Sequence, residues 1–295
     1  SSLQSRFRWS NWAKDAEGIT GEELIDFVNN ELFPSLKKLA TSAGVTPHGK
    51  VVGSVFEDAY NYMKSGTLLR QVINTIESDV DFNSSTDRHL FNDIYEKILA
   101  DLQSAGNAGE YYTPRAVTQF MVDILDPQLG ESVLDPACGT GGFLTCTIEH
   151  LKAQVKTAAN RITLQDSIHG VEKKPLPHML AMTNLMLHGI RQPNFHYADT
   201  LARSFNEEKR YEVVLANPPF KGAIDSSDVN PTLPSGCKKT ELLFIHLFLR
   251  LLEMGGRCAA IVPDGVLFGS SRAHIETRKK LIEENRLDAV VSMPG

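Results

Sequence analysis

Asn217-Pro218-Pro219-Phe220 is the stretch of this chain whose residue types point most directly to a reaction. Val213, Val214 and Leu215 before it form a short β-rich apolar run, and neither proline can donate to a sheet ladder, so a buried strand must stop there. A residue before proline is pushed to extended backbone, which suits Asn217 at a strand tip. The chemistry that wants such a set is methylation of an exocyclic amino group. Such a nitrogen is a poor nucleophile because its lone pair is delocalised. Two acceptors on its two N–H groups draw it toward a tetrahedral form. The side-chain oxygen of Asn217 is one acceptor and the Pro218 carbonyl the other. Phe220 supplies a flat face on which an extruded base can stack. Asn-Pro is also a common turn dipeptide, so the tetrapeptide alone does not decide the matter.

Three carboxylates upstream fall at the ends of predicted strands. Asp135 closes Ser132–Asp135 and opens the turn Asp135-Pro-Ala-Cys-Gly-Thr-Gly-Gly-Phe143. Glu172 closes Ile168–Glu172, where an acid commonly grips ribose hydroxyls. Asp199 closes Phe195–Asp199, where it can accept from an adenine amine. Each alone is more often a helix cap or a solvated loop residue. Together with Asn217 they surround one crevice and suit a cationic, ribose-bearing cofactor such as S-adenosylmethionine. Gly139, Gly141 and Gly142 let backbone approach a ligand closely. They do not make G-x-G-x-x-G, because Leu144 stands at the third position, and the chain has no nucleotide P-loop.

The elements that must hold these residues alternate. After the four strands come a helix over Glu241–Glu253, a fifth strand over Arg257–Pro263 and a sixth over Leu287–Ser292. Helices are expected through Leu151 and over Met179–Leu187. This pattern predicts an α/β fold with a doubly wound, Rossmann-like parallel sheet. Residues 1–106 read as all helical. Thr20-Gly-Glu-Glu23 is a capping-box pattern opening a helix through Phe33 that Pro34 bends or ends. Further helices are expected over Val51–Met63 and Thr67–Ile76, and a long one after Ser84-Ser85-Thr86. The small residues 104–109 mark a boundary, giving a helical N-terminal domain, 1–106, and a catalytic domain, 107–295. Thr113 is an expected N-cap with Pro114 at the first helical position.

The 295 residues carry 42% hydrophobic and 22% charged side chains, an ordinary globular balance. The formal net charge is −6, whereas a free-standing DNA-binding protein is usually basic. The four cysteines have no CxxC spacing and no His completes a zinc site, so free thiols in a reducing cytoplasm are expected and no metal. The apolar run Leu242–Leu252 is too short to span a membrane, and the N-terminal residues lack a signal-peptide pattern.

Glu110-Tyr111-Tyr112-Thr113-Pro114-Arg115, the turn Asp135–Phe143, Gly170-Val-Glu172 and Asn217–Phe220 occur in the order and spacing of one known family. The sequence resembles the modification subunit of type I restriction-modification systems, an N6-adenine DNA methyltransferase. The resemblance implies an S-adenosylmethionine-dependent methyltransferase sheet behind a helical domain, acting on adenine in DNA. It implies that Glu110, Tyr111, Tyr112, Thr113, Pro114 and Arg115 line the cofactor site with Asp135, Gly139, Thr140, Gly141, Gly142, Glu172 and Asp199. It implies that Asn217, Pro218, Pro219 and Phe220 are catalytic. It further implies a bacterial or archaeal cytoplasmic protein that works with a specificity subunit, and with a restriction subunit in the larger complex. Such subunits continue past Met293-Pro294-Gly295, so the C-terminal part of the family fold is expected to be absent.

Other readings stand beside this one. Protein-glutamine methyltransferases share Asn-Pro-Pro but usually follow it with Tyr, and amine methylation of RNA uses the same chemistry. A silent assembly subunit would keep the fold without turnover. A dehydrogenase would need the dinucleotide fingerprint that Leu144 interrupts. Lys238 and Lys239 after the tetrapeptide are either a solvated pair or a contact to phosphate.

Overall fold

The computed structural model describes residues 3–79, 95, 97, 113–220, 224–225 and 227–293. Glu110, Tyr111 and Tyr112, the expected helix after Thr86 and the expected boundary at 104–109 lie outside the described residues.

Among the described residues, the N-terminal region has five α-helices: α1 (Trp9–Trp12), α2 (Gly21–Asp26), α3 (Phe33–Lys37), α4 (Pro47–Val55) and α5 (Gly66–Asp79). Leu24, Val28 and Leu32 recur on one face and bury against Phe7, Ala13 and Ile73. Gly66 permits the closest approach, since a Cβ there would stand 1.7 Å from the Gly21 carbonyl oxygen. Arg70 is buried, and its guanidinium is satisfied by the carbonyls of Trp12, Ala13, Asp15 and Ile19.

Three local expectations need correction here. Thr20 starts α2 without a side-chain capping bond, so the capping box is not made. Pro34 does not end the helix. A π-helical stretch, Phe27–Leu32, precedes it and absorbs the missing donor, and α3 continues beyond. The helix expected over Val51–Met63 is α4, which starts earlier because Thr46 accepts from the Gly49 N–H and Pro47 takes the first position. It stops at Val55, and residues 59–65 have no regular structure.

The other described residues form a parallel five-stranded sheet, with helices on both faces. Its strands are β1 (Val133–Asp135), β2 (Ile168–Glu172), β3 (Asn194–Tyr197), β4 (Tyr211–Ala216) and β5 (Leu252–Ala260), in the spatial order β3-β2-β1-β4-β5. Alternation along the strands sends side chains to opposite faces. Val133, Val213 and Leu215 pack with α6 (Arg115–Leu125) and α7 (Gly142–Lys152). Leu134 and Val214 pack on the other side with α10 (Thr240–Leu251). Between them in the chain lie α8 (Ala158–Ser167) and α9 (Pro175–Leu187), and after β5 come α11 (Asp264–Phe268) and α12 (Arg272–Glu283). The central strands β1, β2 and β4 are buried almost throughout because both faces of the sheet are covered.

The order of strands reverses between β1 and β4, which places a crevice at their carboxyl ends. β5 starts earlier than the sequence suggests, at Leu252, and bulges between its pairings to Tyr211 and Val213, where Gly255 takes φ +82°. The expected sixth strand, Leu287–Ser292, is not formed. Its residues make no ladder, and Leu287, Val290 and Val291 are exposed. A β-prone run becomes a strand only against a partner edge. Among the described residues, no helix is long and apolar enough to cross a membrane.

Candidate active site

Asp135, Glu172, Asp199 and Asn217 all stand at or just beyond the carboxyl ends of neighbouring strands. Asp199 lies two residues past β3, because the strand ends at Tyr197 while the Ala198 N–H still donates to the Glu172 carbonyl. Asn217 follows the last residue of β4. The Ile261 N–H donates to the Ala216 carbonyl, so β5 fixes the backbone just before the tetrapeptide.

The Gly-rich turn is held from three sides. Gly139 and Gly141 take φ +55° and +84°, conformations that only glycine adopts at little cost. A Cβ at Gly139 or Gly142 would meet nothing within 4 Å, so open space borders the turn there. From β2, Glu172 Oε2 accepts from the Gly139 N–H at 2.9 Å, while its Oε1 accepts from the Lys174 N–H at 2.7 Å. From α9, Asn184 Nδ2 donates to the Thr140 carbonyl at 3.2 Å. From beyond β3, the Thr200 hydroxyl donates to the Pro136 carbonyl at 3.1 Å. Asn184 and Thr200 are nearly fully buried. Neither stands in a spacing that the sequence analysis could read as part of the site.

The carboxylates differ in environment. Asp135 is 1% exposed, and burial raises its pKa to about 8, against the lowering hydrogen bond from the Ala137 N–H. Glu172 adds a smaller push in the same direction. Asp199 is partly exposed. Its Oδ1 accepts from the Leu201 N–H, and its Oδ2 pairs with Lys173 at 2.7 Å. That lysine is two-thirds exposed and free to yield to a ligand amine.

The raised pKa of Asp135 has a consequence for stability. The folded chain keeps a proton that the unfolded chain releases above the ordinary carboxylate range. Stability therefore falls as pH rises from that range toward about 8. The urea midpoint of the wild type is expected to drop between pH 6 and pH 8.5. Asp135→Asn should flatten that drop, and parallel curves for the two proteins would remove Asp135 as its source.

The tetrapeptide presents Asn217 in one orientation. Its Nδ2 donates to the Thr113 hydroxyl at 2.8 Å, whereas its Oδ1 is buried and has no hydrogen-bond partner among the described residues. Pro218 is buried, Pro219 exposed and Phe220 half-buried. An orphaned buried acceptor is costly unless a ligand supplies the donor. Thr113 does not cap α6, as its hydroxyl is turned to Asn217. Pro114 occupies the capping position instead, and Arg115 is the first helical residue, exposed. The structure thus brings Thr113 to the strand ends and leaves Arg115 at the surface. Lys238 and Lys239 are exposed just before α10.

A sequence profile described as "N-6 DNA Methylase" matches residues 86–295. The chain belongs to the N-6 DNA methylase family. Among curated relatives of this family member, the EcoEI type I methylase subunit of Escherichia coli is 49% identical, over 99% of this chain and 60% of its own length. The StySPI type I methylase subunit of Salmonella potsdam is 27% identical, over 94% of this chain and 55% of its own length. The chain therefore spans little more than half the length of the relatives it matches. A solved chain from a study of assembly and conformational transition in the type I R-M system aligns with a TM-score of 0.80 and 35% identity. That alignment covers 95% of this methylase-family chain and 57% of the solved one.

Proposed function

We propose that this chain transfers a methyl group from S-adenosylmethionine to the N6 amine of adenine in DNA, as the modification component of a type I restriction-modification complex. The observation that carries the reading is the buried, unpartnered Oδ1 of Asn217, one residue beyond β4 and across the strand switch from three carboxylates. An amine N–H is the donor such an oxygen lacks.

The residues fit the cofactor. Open space borders the Gly-rich turn, Glu172 stands at the end of β2 where it can take ribose hydroxyls, and Asp199 can accept from the adenine amine. Asp135, disfavoured as an anion by burial, gains from a nearby positive charge. Glu110, Tyr111, Tyr112, Thr113, Pro114 and Arg115 complete this side by their likeness to the family. The bound cofactor supplies an electrophilic methyl group on a sulfonium. Asn217 Oδ1 and the Pro218 carbonyl accept from the two N–H groups of the target amine and favour its tetrahedral, nucleophilic form. Phe220 stacks on the extruded base and Pro219 stiffens the turn that presents it.

Residues 1–106 form the helical domain in this reading and 107–295 the catalytic one. Sequence choice falls to a separate specificity subunit, since the net charge of −6 gives no overall positive field for autonomous binding. The EcoEI and StySPI relatives are themselves named as type I methylase subunits, which supports that partnership and a bacterial or archaeal cytoplasmic setting.

The test is transfer of a labelled methyl group to DNA, RNA and protein, with and without a co-expressed specificity partner. Label is expected in adenine of DNA and at defined sites only when the partner is present. Label in glutamine or RNA, or site-selective methylation by the chain alone, would overturn the corresponding part of the proposal.

A further inference from the structure

We propose that Thr113 is a positioning residue for amine capture. Its hydroxyl fixes the plane of the Asn217 side-chain amide so that Oδ1 can face the target amine, and this one hydrogen bond ties the segment entering α6 to the base site. The inference rests on the methyl-transfer reading above.

The two ends of an Asn amide are nearly equal in size and opposite in hydrogen-bonding character. A half-turn about the terminal bond exchanges them. With Oδ1 toward the pocket the site accepts from an amine. With Nδ2 there it presents a donor to a donor and repels it. Sterics do not distinguish the two states, and a hydroxyl can either accept from Nδ2 or donate to Oδ1, so the polar partner fixes the plane of the amide while the donors of the target amine select Oδ1. Among the described residues that partner is Thr113 Oγ1, at 2.8 Å from Nδ2, and no other group bonds either end of the amide. The strand does not help, because the ladder holds Ala216 and the following Pro218 has no N–H.

Thr113 is itself anchored. Pro114 fixes the next φ at −54°, and its carbonyl accepts from the N–H groups of Val117 and Thr118, starting α6. The far end of α6 is pinned to the sheet edge. Arg257 on β5 donates to the Leu125 and Asp126 carbonyls and forms a two-pronged pair with Glu131 at 2.7 and 2.8 Å. A helix held at its foot delivers the hydroxyl from 104 residues away in sequence to the catalytic amide.

The experiment uses the full chain with its specificity partner and a DNA target. Single-turnover rate, cofactor Kd and the fluorescence of a base analogue at the target position are measured for Thr113→Val, Thr113→Ala and Thr113→Ser. Misorienting a reacting group commonly costs on the order of 100-fold. At saturating cofactor, both variants lacking the hydroxyl are expected to lose about 10- to 100-fold in rate, with the base-analogue signal within about threefold of wild type. Thr113→Ser should recover most of the rate. In an Asn217→Ala background, Thr113→Val should change nothing further. If Thr113→Val fails to fold, Thr113→Ala carries the same comparison. An unchanged rate in the hydroxyl-free variants overturns the inference. So does an equal loss in Thr113→Ser, or a loss accounted for wholly by weaker cofactor binding. A wild type that labels no DNA overturns the methyl-transfer reading, and with it this assignment. An active wild type beside an equally active Thr113→Val overturns the assignment alone.

Discussion

Replacing Asn217 with alanine is expected to abolish methyl transfer to DNA while cofactor affinity stays within about threefold of wild type. Losing one preorganised hydrogen-bond partner at a reacting group costs on the order of 100- to 1000-fold in rate. The rate loss should reach that range here because Oδ1 is buried, where competing water cannot replace it. Cofactor binding largely survives because Asp135, Glu172 and Asp199, on β1, β2 and beyond β3, stand on the other side of the strand switch and are untouched by the change. Folding survives because the change deletes an acceptor that has no internal partner and frees only the Thr113 hydroxyl. Single-turnover methylation and calorimetric titration of the cofactor separate the two quantities. Near-normal turnover in this variant would sink the role given to Asn217.

Glu172→Ala is expected to do the reverse and strike cofactor binding first. Glu172 has two tasks at the end of β2. It accepts from the Gly139 and Lys174 N–H groups, which holds the Gly-rich turn against the sheet, and it is placed to accept from ribose hydroxyls. A hydrogen bond to a charged group is worth about 1.5–3 kcal/mol, so losing a pair of them weakens affinity on the order of 100-fold or more. The turn also loses its tether at Gly139. Glu172→Gln keeps one acceptor oxygen and should fall between alanine and wild type. At saturating cofactor the methylation rate should largely return in both variants. Unaltered cofactor affinity in Glu172→Ala would show that the ribose is held elsewhere.

The parts of this molecule that could be read from sequence are those whose cause is local. Val213-Val214-Leu215 before two prolines had to be a buried strand that stops, and β4 ends at Ala216 with Asn217 the next residue, at the crevice. The three acids fell at strand ends because apolar runs and a Gly-rich turn bracket them. The strand order β3-β2-β1-β4-β5 then gathered all four groups, as the doubly wound pattern required. What escaped is set by partners distant in the chain. Asn184 reaches Thr140 across 44 residues and Thr200 reaches Pro136 across 64, so no spacing announces them. Thr113 looked like a helix cap, and its actual partner is 104 residues away. The helix α8 is not announced because its sequence is largely polar, and its capping box of Thr157 with Asn160 uses the shorter Asn where the usual signal is Glu or Gln. Leu287–Ser292 was read as a strand on propensity alone, and propensity cannot supply a neighbouring edge.

The position of β4 has a further meaning for how the chain is made. β1, β2 and β3 follow one another in sequence, so the three acids emerge from the ribosome before the residue that receives the amine. Asn217 arrives on the strand that fills the gap beside β1, and Val213, Val214 and Leu215 are each fully buried when it does. Until then β1 presents an open, apolar edge at the centre of the sheet, a surface prone to pairing with other chains. Completing the hydrophobic interior and acquiring the amine acceptor are thus one event in biogenesis. A nascent or damaged chain that has not inserted β4 is at once inactive and sticky, a ready client for chaperone or protease, and quality control of the fold doubles as quality control of the chemistry.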